Sequence, residues 1–313
     1  MNRRDLLQAS KAFGLAAALP GAAMAEPSPE SQLDAGAAQP AAAPNPLRPP
    51  AEGSIPVAFL ISDGAVLIDF AGPWEVFGHV HIPGRAATAF HLYTVAETTR
   101  PVRASGGMTI VPNHSLASAP TPRIIVIPAQ SAPSAAVVAW LRDTSRTTDV
   151  TMSVCTGVFV LARTGLLSGK TATTHHSAYT ELAMAFPDSQ VKRGARFVET
   201  GNLASAGGLS SGIDLALRVV ERYFGRAVAL GTADNLEYQG LGWMNPDSNA
   251  AYATARVSTD QHPLCPVCEM DVDPPTAPRS LHQGRTYYFC IQTHKEQFDA
   301  APGRYLHVRR EMR

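Results

Sequence analysis

The chain has 313 residues, of which 45% are hydrophobic, and its 26 basic and 26 acidic side chains give a formal net charge of zero. This length and composition allow one large globular domain or two. The balanced charge and the lack of a basic stripe argue against a nucleic-acid-binding surface, and no apolar run is long enough to cross a bilayer.

The N-terminus has the pattern of a targeting segment. Arg3 and Arg4 form a twin-arginine pair, an apolar run follows, and a small-x-small cleavage site ends at Ala25. We therefore expect residues 1–25 to be removed during export by the twin-arginine route, which places the mature protein in the periplasm without a membrane span. Residues 26–53 are rich in Pro, Ala and Ser, which predicts a disordered tether.

Strand and helix patterns alternate from residue 54 to residue 241, the predicted first domain. Buried strands are predicted at residues 55–61, 91–95, 123–128 and 150–154, a short strand at 171–174, and helices at 134–141, 177–186 and 210–224. Turn signals at Gly106-Gly107 and Gly201-Asn202 predict hairpins. Such alternation predicts a parallel sheet with helices on both faces, and a site at the carboxyl ends of its strands.

Cys155 stands where the strand at 150–154 turns into a helical pattern that begins near Val158. A one-residue turn from strand to helix is typical of a nucleophile elbow. The helix N-terminus would favour a thiolate, so we expect Cys155 to be exposed and activated. The alternative is a small buried cysteine at a strand end. Asp69 and Ala129-Gln130 also follow predicted strands, so they could converge with Cys155.

Several motifs of this domain resemble those of a known family. They are Leu67–Pro73, Ile127-Pro128, Val154–Gly157, Leu166–His175, Ser205–Gly208 and Gly212–Asp214. On these motifs, residues 55–240 resemble the ThiJ/PfpI family of the class I glutamine-amidotransferase-like superfamily, especially isocyanide hydratases and the sensory domains of AraC-type regulators. The resemblance implies an α/β fold with a flavodoxin-like parallel sheet sandwiched by helices, a homodimer, and no cofactor in this domain.

The resemblance also implies catalytic roles for three residues. Cys155 would be the nucleophile, Asp69 its acid/base partner, and Thr156 would offer its backbone N–H and hydroxyl beside the thiol. In isocyanide hydration the thiolate adds to the electrophilic carbon, a thioimidate forms, and water releases an N-formamide. A carboxylic acid near the sulfur suits the proton transfers of that reaction.

The implied pocket departs from the family pattern in two places. Gly72, Ala129 and Gln130 would border the substrate and oxyanion pocket, but the family usually has Gly-Gly where Ala129-Gln130 stand. The protease-like branch has His directly after the cysteine, where this chain has Thr156, so a peptidase is not expected. The pair His175-His176 is interpreted as structural, at a strand end.

Four residues of the C-terminal part have the spacing of a metal site: Cys265, Cys268, Cys290 and His294. Two pairs of soft ligands at this spacing indicate a zinc-type site, and thiolates also suit Cu(I). A segment this short cannot bury a large core, so a metal would stabilise it. The alternative is a Cys265–Cys268 disulfide with Cys290 free, as an oxidising compartment would permit.

The same segment resembles the YHS domain. The shared pattern is Cys-Pro-Val-Cys-x-Met-x-Val from Cys265, Gly-x-x-Tyr-Tyr-Phe-Cys ending at Cys290, then Phe298 and Tyr305-Leu306. The resemblance implies that residues 261–313 form a small treble-clef-like α+β module that binds Zn²⁺ or copper, after a linker at residues 242–260. Glu269 stands where Gly is usual, and His294 where a second Cys often stands.

These interpretations leave three functions open. The first is an exported cysteine-dependent hydro-lyase or hydrolase that acts on a small carbon–nitrogen electrophile. The second is a non-catalytic protein that binds or senses a ligand or a metal. The third is protection against metal or oxidative stress through oxidation of Cys155. The expected partners are a small molecule and a metal ion, and no nucleic acid.

Overall fold

The structure, a computed structural model, describes residues 45–311, with the side chains of residues 307–311 excepted. The strands are β1 Ile55–Leu60, β2 Phe90–Ala96, β3 Val102–Arg103, β4 Thr109–Ile110, β5 His114–Ser115, β6 Ile124–Ile127, β7 Val150–Val154, β8 Thr171–Ala172, β9 Gln190–Val191, β10 Phe197–Thr200, β11 Leu203–Ala206, β12 Arg279–His282 and β13 Arg285–Tyr288. The helices are α1 Leu67–Gly78, α2 Ala135–Thr144, α3 Gly157–Ala162, α4 Tyr179–Ala185, α5 Ser211–Phe224, α6 Arg226–Asn235, α7 Gln292–Ala300 and α8 Pro302–Glu311. The targeting segment at 1–25 and residues 26–44 of the tether lie outside the described residues, so these remain predictions. The described end of the tether contacts the first domain, where the Leu47 N–H donates to the Arg222 carbonyl at 2.8 Å.

A central sheet with the strand order β10-β11-β7-β6-β1-β2-β5 organises the first domain. Its neighbours pair in parallel except β10 and β11, which form an antiparallel hairpin. Helices α1, α5 and α6 pack on one face, and α2, α3 and α4 on the other. Strands β1, β6 and β7 are buried on both faces, which explains their nearly continuous apolar sequences. The sequence predicted a parallel sheet with helices on both faces; the structure confirms this arrangement, except that the edge strand β10 is antiparallel.

Two elements differ from the prediction. The strand expected at 171–174 is present as β8, but it pairs with β9 in a small separate sheet. Helix α6 was not predicted, because its polar and small side chains give little apolar periodicity; it packs through Ala229 and Ala233, which are buried. It follows α5 directly, since Gly225 at φ +85° ends that helix in a conformation that favours glycine. Among the described helices, none combines the length and apolar character needed to span a membrane.

Residues 242–260, predicted as a linker, lie against the first domain. Trp243 is 1% exposed and packs in the core on the α5 face of the sheet. The Pro246 carbonyl accepts the N–H of Arg196 at 2.6 Å. The C-terminal residues then form the antiparallel hairpin β12–β13, α7 and α8, around a small core that includes Phe289 and Phe298. Met184 of α4 packs against that core, so the two parts of the chain are in contact.

Candidate active site and metal centre

Cys155 occupies the turn between β7 and α3, where the sequence predicts the elbow. Its φ of +58° lies in the left-handed region, which costs a residue with a Cβ about 1–2 kcal/mol. The turn is held by the Cys155 N–H, which donates to the Gly207 carbonyl at 2.8 Å. Gly157 allows α3 to begin against β6, since a Cβ there would overlap the carbonyl oxygen of Ile127. Local sequence and close backbone packing together fix the sulfur at the carboxyl end of the sheet.

The Cys155 thiol is buried, not exposed as its elbow position led us to expect. It is 8% exposed, and its pKa is raised to about 11, first by burial and then by the charge of Asp69. Hydrogen bonds from the backbone N–H groups of Thr156 and Leu209, and from the Thr156 side chain, act in the opposite direction. Helix α3 has only six residues, so its dipole is small. Desolvation therefore outweighs the groups that favour the thiolate.

Asp69 lies in the first turn of α1 and is fully buried. Its Oδ2 accepts the backbone N–H of Ala129 at 3.0 Å, while Oδ1 has no hydrogen-bond partner among residues 45–311. Burial raises the pKa of Asp69 from 3.8 to about 7, and the Ala129 hydrogen bond lowers it by a smaller amount. At neutral pH this carboxyl can therefore both give and accept a proton, and its unpartnered oxygen is available for that exchange.

The other residues of the predicted pocket have different surroundings. Ala129 uses its N–H for Asp69. The Gln130 side chain donates to the Leu60 carbonyl at 3.1 Å and lines a cavity of about 560 Å³ that Cys155 does not border. Gly72 lets α1 approach α5, since a Cβ there would lie 2.8 Å from a side-chain carbon of Ile213. The structure thus brings Cys155 together with Asp69 and Thr156, and the catalytic roles remain predictions.

Two groups near Cys155 were missed by sequence reasoning. The Leu209 N–H donates to the sulfur, but a backbone donor carries no residue signature; the glycine pair before it was the only hint. The Thr174 hydroxyl donates to the Cys155 carbonyl at 3.0 Å.

His175 packs on Gly208 and accepts the Ser177 N–H through Nδ1 at 3.3 Å. Burial lowers the pKa of His175, so this imidazole is neutral at pH 7.

The four predicted metal ligands form one cluster at the C-terminal end. Their ligand atoms, from Cys265, Cys268, Cys290 and His294, all lie within 4.8 Å of one another. The Cys268 and Cys290 sulfurs are 3.4 Å apart, and the His294 Nδ1 is 3.2 Å from the Cys290 sulfur and 3.6 Å from that of Cys265. All four cysteines of the chain are free, so the alternative Cys265–Cys268 disulfide is not formed.

The donor set of the cluster fits a tetrahedral zinc ion. Zinc–sulfur bonds of about 2.3 Å place tetrahedral ligands about 3.8 Å apart, close to the separations seen here. Two ligands come from a tight turn in which the Glu269 N–H donates to the Cys265 carbonyl at 2.9 Å. Cys290 lies two residues before α7 begins at Gln292, and His294 lies in the first turn of that helix, so the entry of the chain into α7 brings these two ligands together. The cluster can therefore hold a metal ion.

Comparison with known proteins concerns the sheet domain. Residues 56–222 match a family model described as the DJ-1/PfpI family. An isonitrile hydratase from Pseudomonas putida is 28% identical over 190 residues, covering 59% of this chain and 79% of the hydratase. An HTH-type transcriptional regulator, CdhR from Pseudomonas aeruginosa, is 28% identical over 185 residues, covering 56% of this chain and 53% of the regulator. The chain thus spans about half the length of that regulator.

Solved structures give the same picture of the fold. A ThiJ/PfpI family protein from Pseudomonas syringae has a TM-score of 0.54 and 26% identity, covering 66% of this chain and 84% of that chain. DJ-1beta from Drosophila melanogaster has a TM-score of 0.52 and 20% identity, covering 60% of this chain and 100% of that chain. At this lower identity the second likeness concerns the fold alone. The matched family region ends at residue 222, before the metal-ligand cluster begins.

Proposed function

Because the chain belongs to the DJ-1/PfpI family, whose model covers residues 56–222, we propose that it is a cysteine-dependent enzyme similar to isonitrile hydratases. Its substrate would be a small molecule with an electrophilic carbon bonded to nitrogen. One observation carries the proposal: the buried Cys155 thiol lies beside a buried carboxyl, Asp69, whose pKa is about 7. A thiol and an acid that titrates near neutral pH are the two groups that hydration of an isonitrile requires.

The reaction begins with proton transfer from Cys155 to the Asp69 carboxylate. The sulfur adds to the terminal carbon of the isonitrile, and protonated Asp69 gives that carbon a proton, which leaves an S-linked thioimidate. Asp69, again ionised, takes a proton from a water molecule as the water adds to the same carbon. Asp69 passes this proton to the thioimidate nitrogen. The carbon–sulfur bond then breaks, the hydroxyl proton of the adduct goes to the Cys155 sulfur, and an N-substituted formamide leaves. The net change is the addition of one water molecule to the isonitrile.

The surroundings of Ala129 favour a hydratase over an amidase or peptidase. Acyl transfer needs free N–H donors for the oxyanion of a tetrahedral intermediate. The Ala129 N–H, at the position where such a donor would stand, is already bonded to Asp69 at 3.0 Å. An isonitrile has no carbonyl oxygen, so its hydration does not depend on that donor. The same hydrogen bond holds Oδ2 of Asp69 and leaves Oδ1 without a partner among the described residues, as a role in proton transfer requires.

The proposal is tested by incubating the full chain with a small alkyl isonitrile and following formamide formation by proton NMR. We expect turnover by the native chain, none above background by Cys155→Ala, and a large loss for Asp69→Asn. Asp143→Asn, at an exposed position of α2, is the matched control and should be unchanged. If the native chain leaves the isonitrile intact while binding it, the hydratase proposal fails.

A second candidate is a ligand-binding protein without turnover. It is supported by the raised pKa of Cys155, which leaves little thiolate at pH 7, and by the similarity to a transcriptional regulator. In that case calorimetry should detect binding, and NMR should show that the ligand is not consumed. Protection through oxidation of Cys155 is less well supported, because oxidants react with the thiolate and burial disfavours it.

For the C-terminal part we propose a zinc-binding YHS domain of the treble-clef type at residues 261–313, with copper as the alternative metal. The support is the cluster of three thiols and one imidazole.

We further propose that the chain is exported to the periplasm by the twin-arginine route and forms a homodimer. This route carries folded proteins and so permits metal loading before export. Elemental analysis and N-terminal sequencing of protein from the periplasmic fraction test the metal and the export. Light scattering tests the dimer.

A further inference from the structure

One short segment, Thr174–Thr180, contacts both cysteine sites; we call it the bridging segment. At its beginning, the Thr174 hydroxyl donates to the Cys155 carbonyl at 3.0 Å. At its end, the Thr180 hydroxyl donates to Oε1 of Glu269 at 3.1 Å. Glu269 directly follows Cys268, one of the four ligands of the cluster. The two sites are therefore joined by seven residues of backbone and one hydrogen bond at each end.

Glu269 also forms an ion pair that holds the end of the bridging segment. Its carboxylate is 2.8 Å from Nη2 of Arg193, and both side chains are only 12% exposed. The Arg193 guanidinium lies over the ring of Tyr179, 4.8 Å from its centroid. Solvent screens such a partly buried pair less than a surface pair. The turn of the cluster is thereby fixed to both Arg193 and the first helical residues of α4.

The backbone conformation of Glu269 is one that favours glycine. Its φ of +61° is a conformation that glycine adopts freely and that costs other residues about 1 kcal/mol. A glycine at this position would form the turn without strain but would make neither contact across to the first domain. The strained residue thus carries a side chain whose contacts lie outside its own module, as expected when local strain serves a function.

The bridging segment reaches the Cys155 sulfur by a second path. His175 packs on Gly208 so closely that a Cβ there would overlap the imidazole. The next residue, Leu209, supplies one of the N–H groups that hydrogen-bond the sulfur. The bridging segment therefore holds Cys155 in two ways. Thr174 hydrogen-bonds the Cys155 carbonyl directly, and His175 packs on Gly208, which precedes the Leu209 N–H donor to the sulfur. Movement of the segment would open the pocket of a thiol that is 8% exposed.

We infer that Glu269 is a positioning residue that couples the metal-ligand cluster to the Cys155 pocket. A metal ion on Cys268 and its three partners fixes the turn that carries Glu269, and Glu269 in turn fixes the bridging segment and keeps the pocket closed. This inference rests on the metal proposed for the cluster and does not depend on turnover of any substrate.

The test measures access to the Cys155 thiol in the zinc-loaded full chain. Samples are treated with iodoacetamide over a pH series, and mass spectrometry of the peptide that contains Cys155 gives its alkylation rate. In Glu269→Gly, which relieves the positive φ and removes both contacts, we expect alkylation about tenfold faster, within the usual range of coupling between linked sites. The pH midpoint of the reaction should fall toward the ordinary thiol value as water enters. Glu269→Gln keeps hydrogen-bonding ability, so its alkylation rate should lie between that of the native chain and that of Glu269→Gly.

Three controls separate coupling from general destabilisation. Asp271→Asn removes an exposed pair with Arg256 from the same turn and should leave alkylation unchanged. Arg193→Gln should raise the rate as Glu269→Gly does, and the double variant should show no further increase. Zinc removal by a chelator should accelerate alkylation in the native chain and have little effect in Glu269→Gly. The midpoint of thermal unfolding is recorded for every variant.

The inference is overturned if the zinc-loaded Glu269→Gly variant is alkylated at the native rate, and equally if Asp271→Asn reproduces its effect. Should the chelated protein unfold, the zinc-loaded variants alone decide. If the native chain does not turn over isonitrile but the variants show the expected alkylation rates, only the proposed catalysis is contradicted. If isonitrile is turned over but the Glu269 variants are alkylated at the native rate, only the coupling is contradicted.

Discussion

The chain has two cysteine sites whose surroundings differ in one decisive respect. Cys155 stands alone, buried beside a carboxyl and a few hydrogen-bond donors. The C-terminal cluster brings three thiols and one imidazole within 4.8 Å. In the first site the sulfur has an acid with which to exchange a proton. In the second, the thiolates of Cys265, Cys268 and Cys290 would repel one another without a cation between them.

This difference shows that neighbours, and not the thiol itself, decide what a cysteine does. Burial raises the pKa of Cys155 and favours its protonated form, and in the proposed reaction Asp69 would take that proton when an electrophile is present. In the cluster, a bound metal ion would replace the thiol protons and release them to solvent. The two sites should therefore respond differently to metal removal, to pH and to substitutions, and four experiments compare these responses.

Metal removal gives the largest expected effect. Cys268→Ala should lose stoichiometric zinc and the folded state of the C-terminal module, because a structural zinc site contributes about 10 kcal/mol or more to a small domain. The metal content is measured by elemental analysis and the module by its amide signals in NMR. Cys155→Ala is the matched control, since it removes a thiol of the other site; it should keep full zinc. Equal metal loss in both variants would contradict the separation of the two sites.

Asp69→Asn should give the next largest effect, and it depends on pH. The pKa of Asp69 is about 7 in the folded chain, against its ordinary value of 3.8, so the folded chain holds an extra proton between these values. Stability from the protonated acid is present at low pH and is lost as pH rises through about 7. Asp69→Asn cannot ionise, so it should be more stable than the native chain at pH 8, by up to about 4 kcal/mol, and similar at pH 4.

Urea unfolding at both pH values measures this difference for Asp69→Asn. Asp143→Asn provides the comparison, because it makes the same chemical change at an exposed carboxyl of α2. A stability difference for Asp69→Asn that stays constant from pH 4 to pH 8 would mean that the carboxyl is already ionised in the folded chain. That result would remove the acid from the proposed proton transfers.

Sequence reasoning predicted those features that local pattern decides. The apolar strands β1, β6 and β7 and the elbow at Cys155 follow from runs and turns within a few residues. The metal-ligand cluster follows from ligand spacing. An exposed and activated Cys155 was the main expectation and a buried cysteine only the alternative; the direction of its pKa and the Leu209 N–H donor were not predicted, because they depend on packing between distant segments. The same reason explains Trp243: its place in the core depends on packing against α5, which is distant from the turn that carries Trp243 in sequence.

Gly157→Ala should have an intermediate effect, of about 2–3 kcal/mol on the free energy of unfolding. The added methyl group would overlap backbone carbonyl oxygens of Ile127 and Pro128, which cannot move without displacing β6. The elbow should shift, and alkylation of Cys155 should change with it. Gly231→Ala in α6 is the matched control, since a Cβ there has open space and alanine favours a helix. A neutral result at Gly157 would mean that the elbow is not fixed by close packing.

Asp271→Asn should have the smallest effect, within about 0.5 kcal/mol of the native free energy of unfolding. Its partner, Arg256, is 2.6 Å away, but the side chains are 51% and 71% exposed, so water and salt screen the pair. Chemical unfolding at low and high salt measures this. The Glu269–Arg193 pair lies two residues earlier in the same turn and is 12% exposed at both ends. Both pairs join a carboxylate to an arginine, so a difference between the effects of their variants on Cys155 alkylation reports burial and position. If only the Glu269 variants change that rate, the link between the metal-ligand cluster and Cys155 runs through Glu269 and not through the general charge of the module.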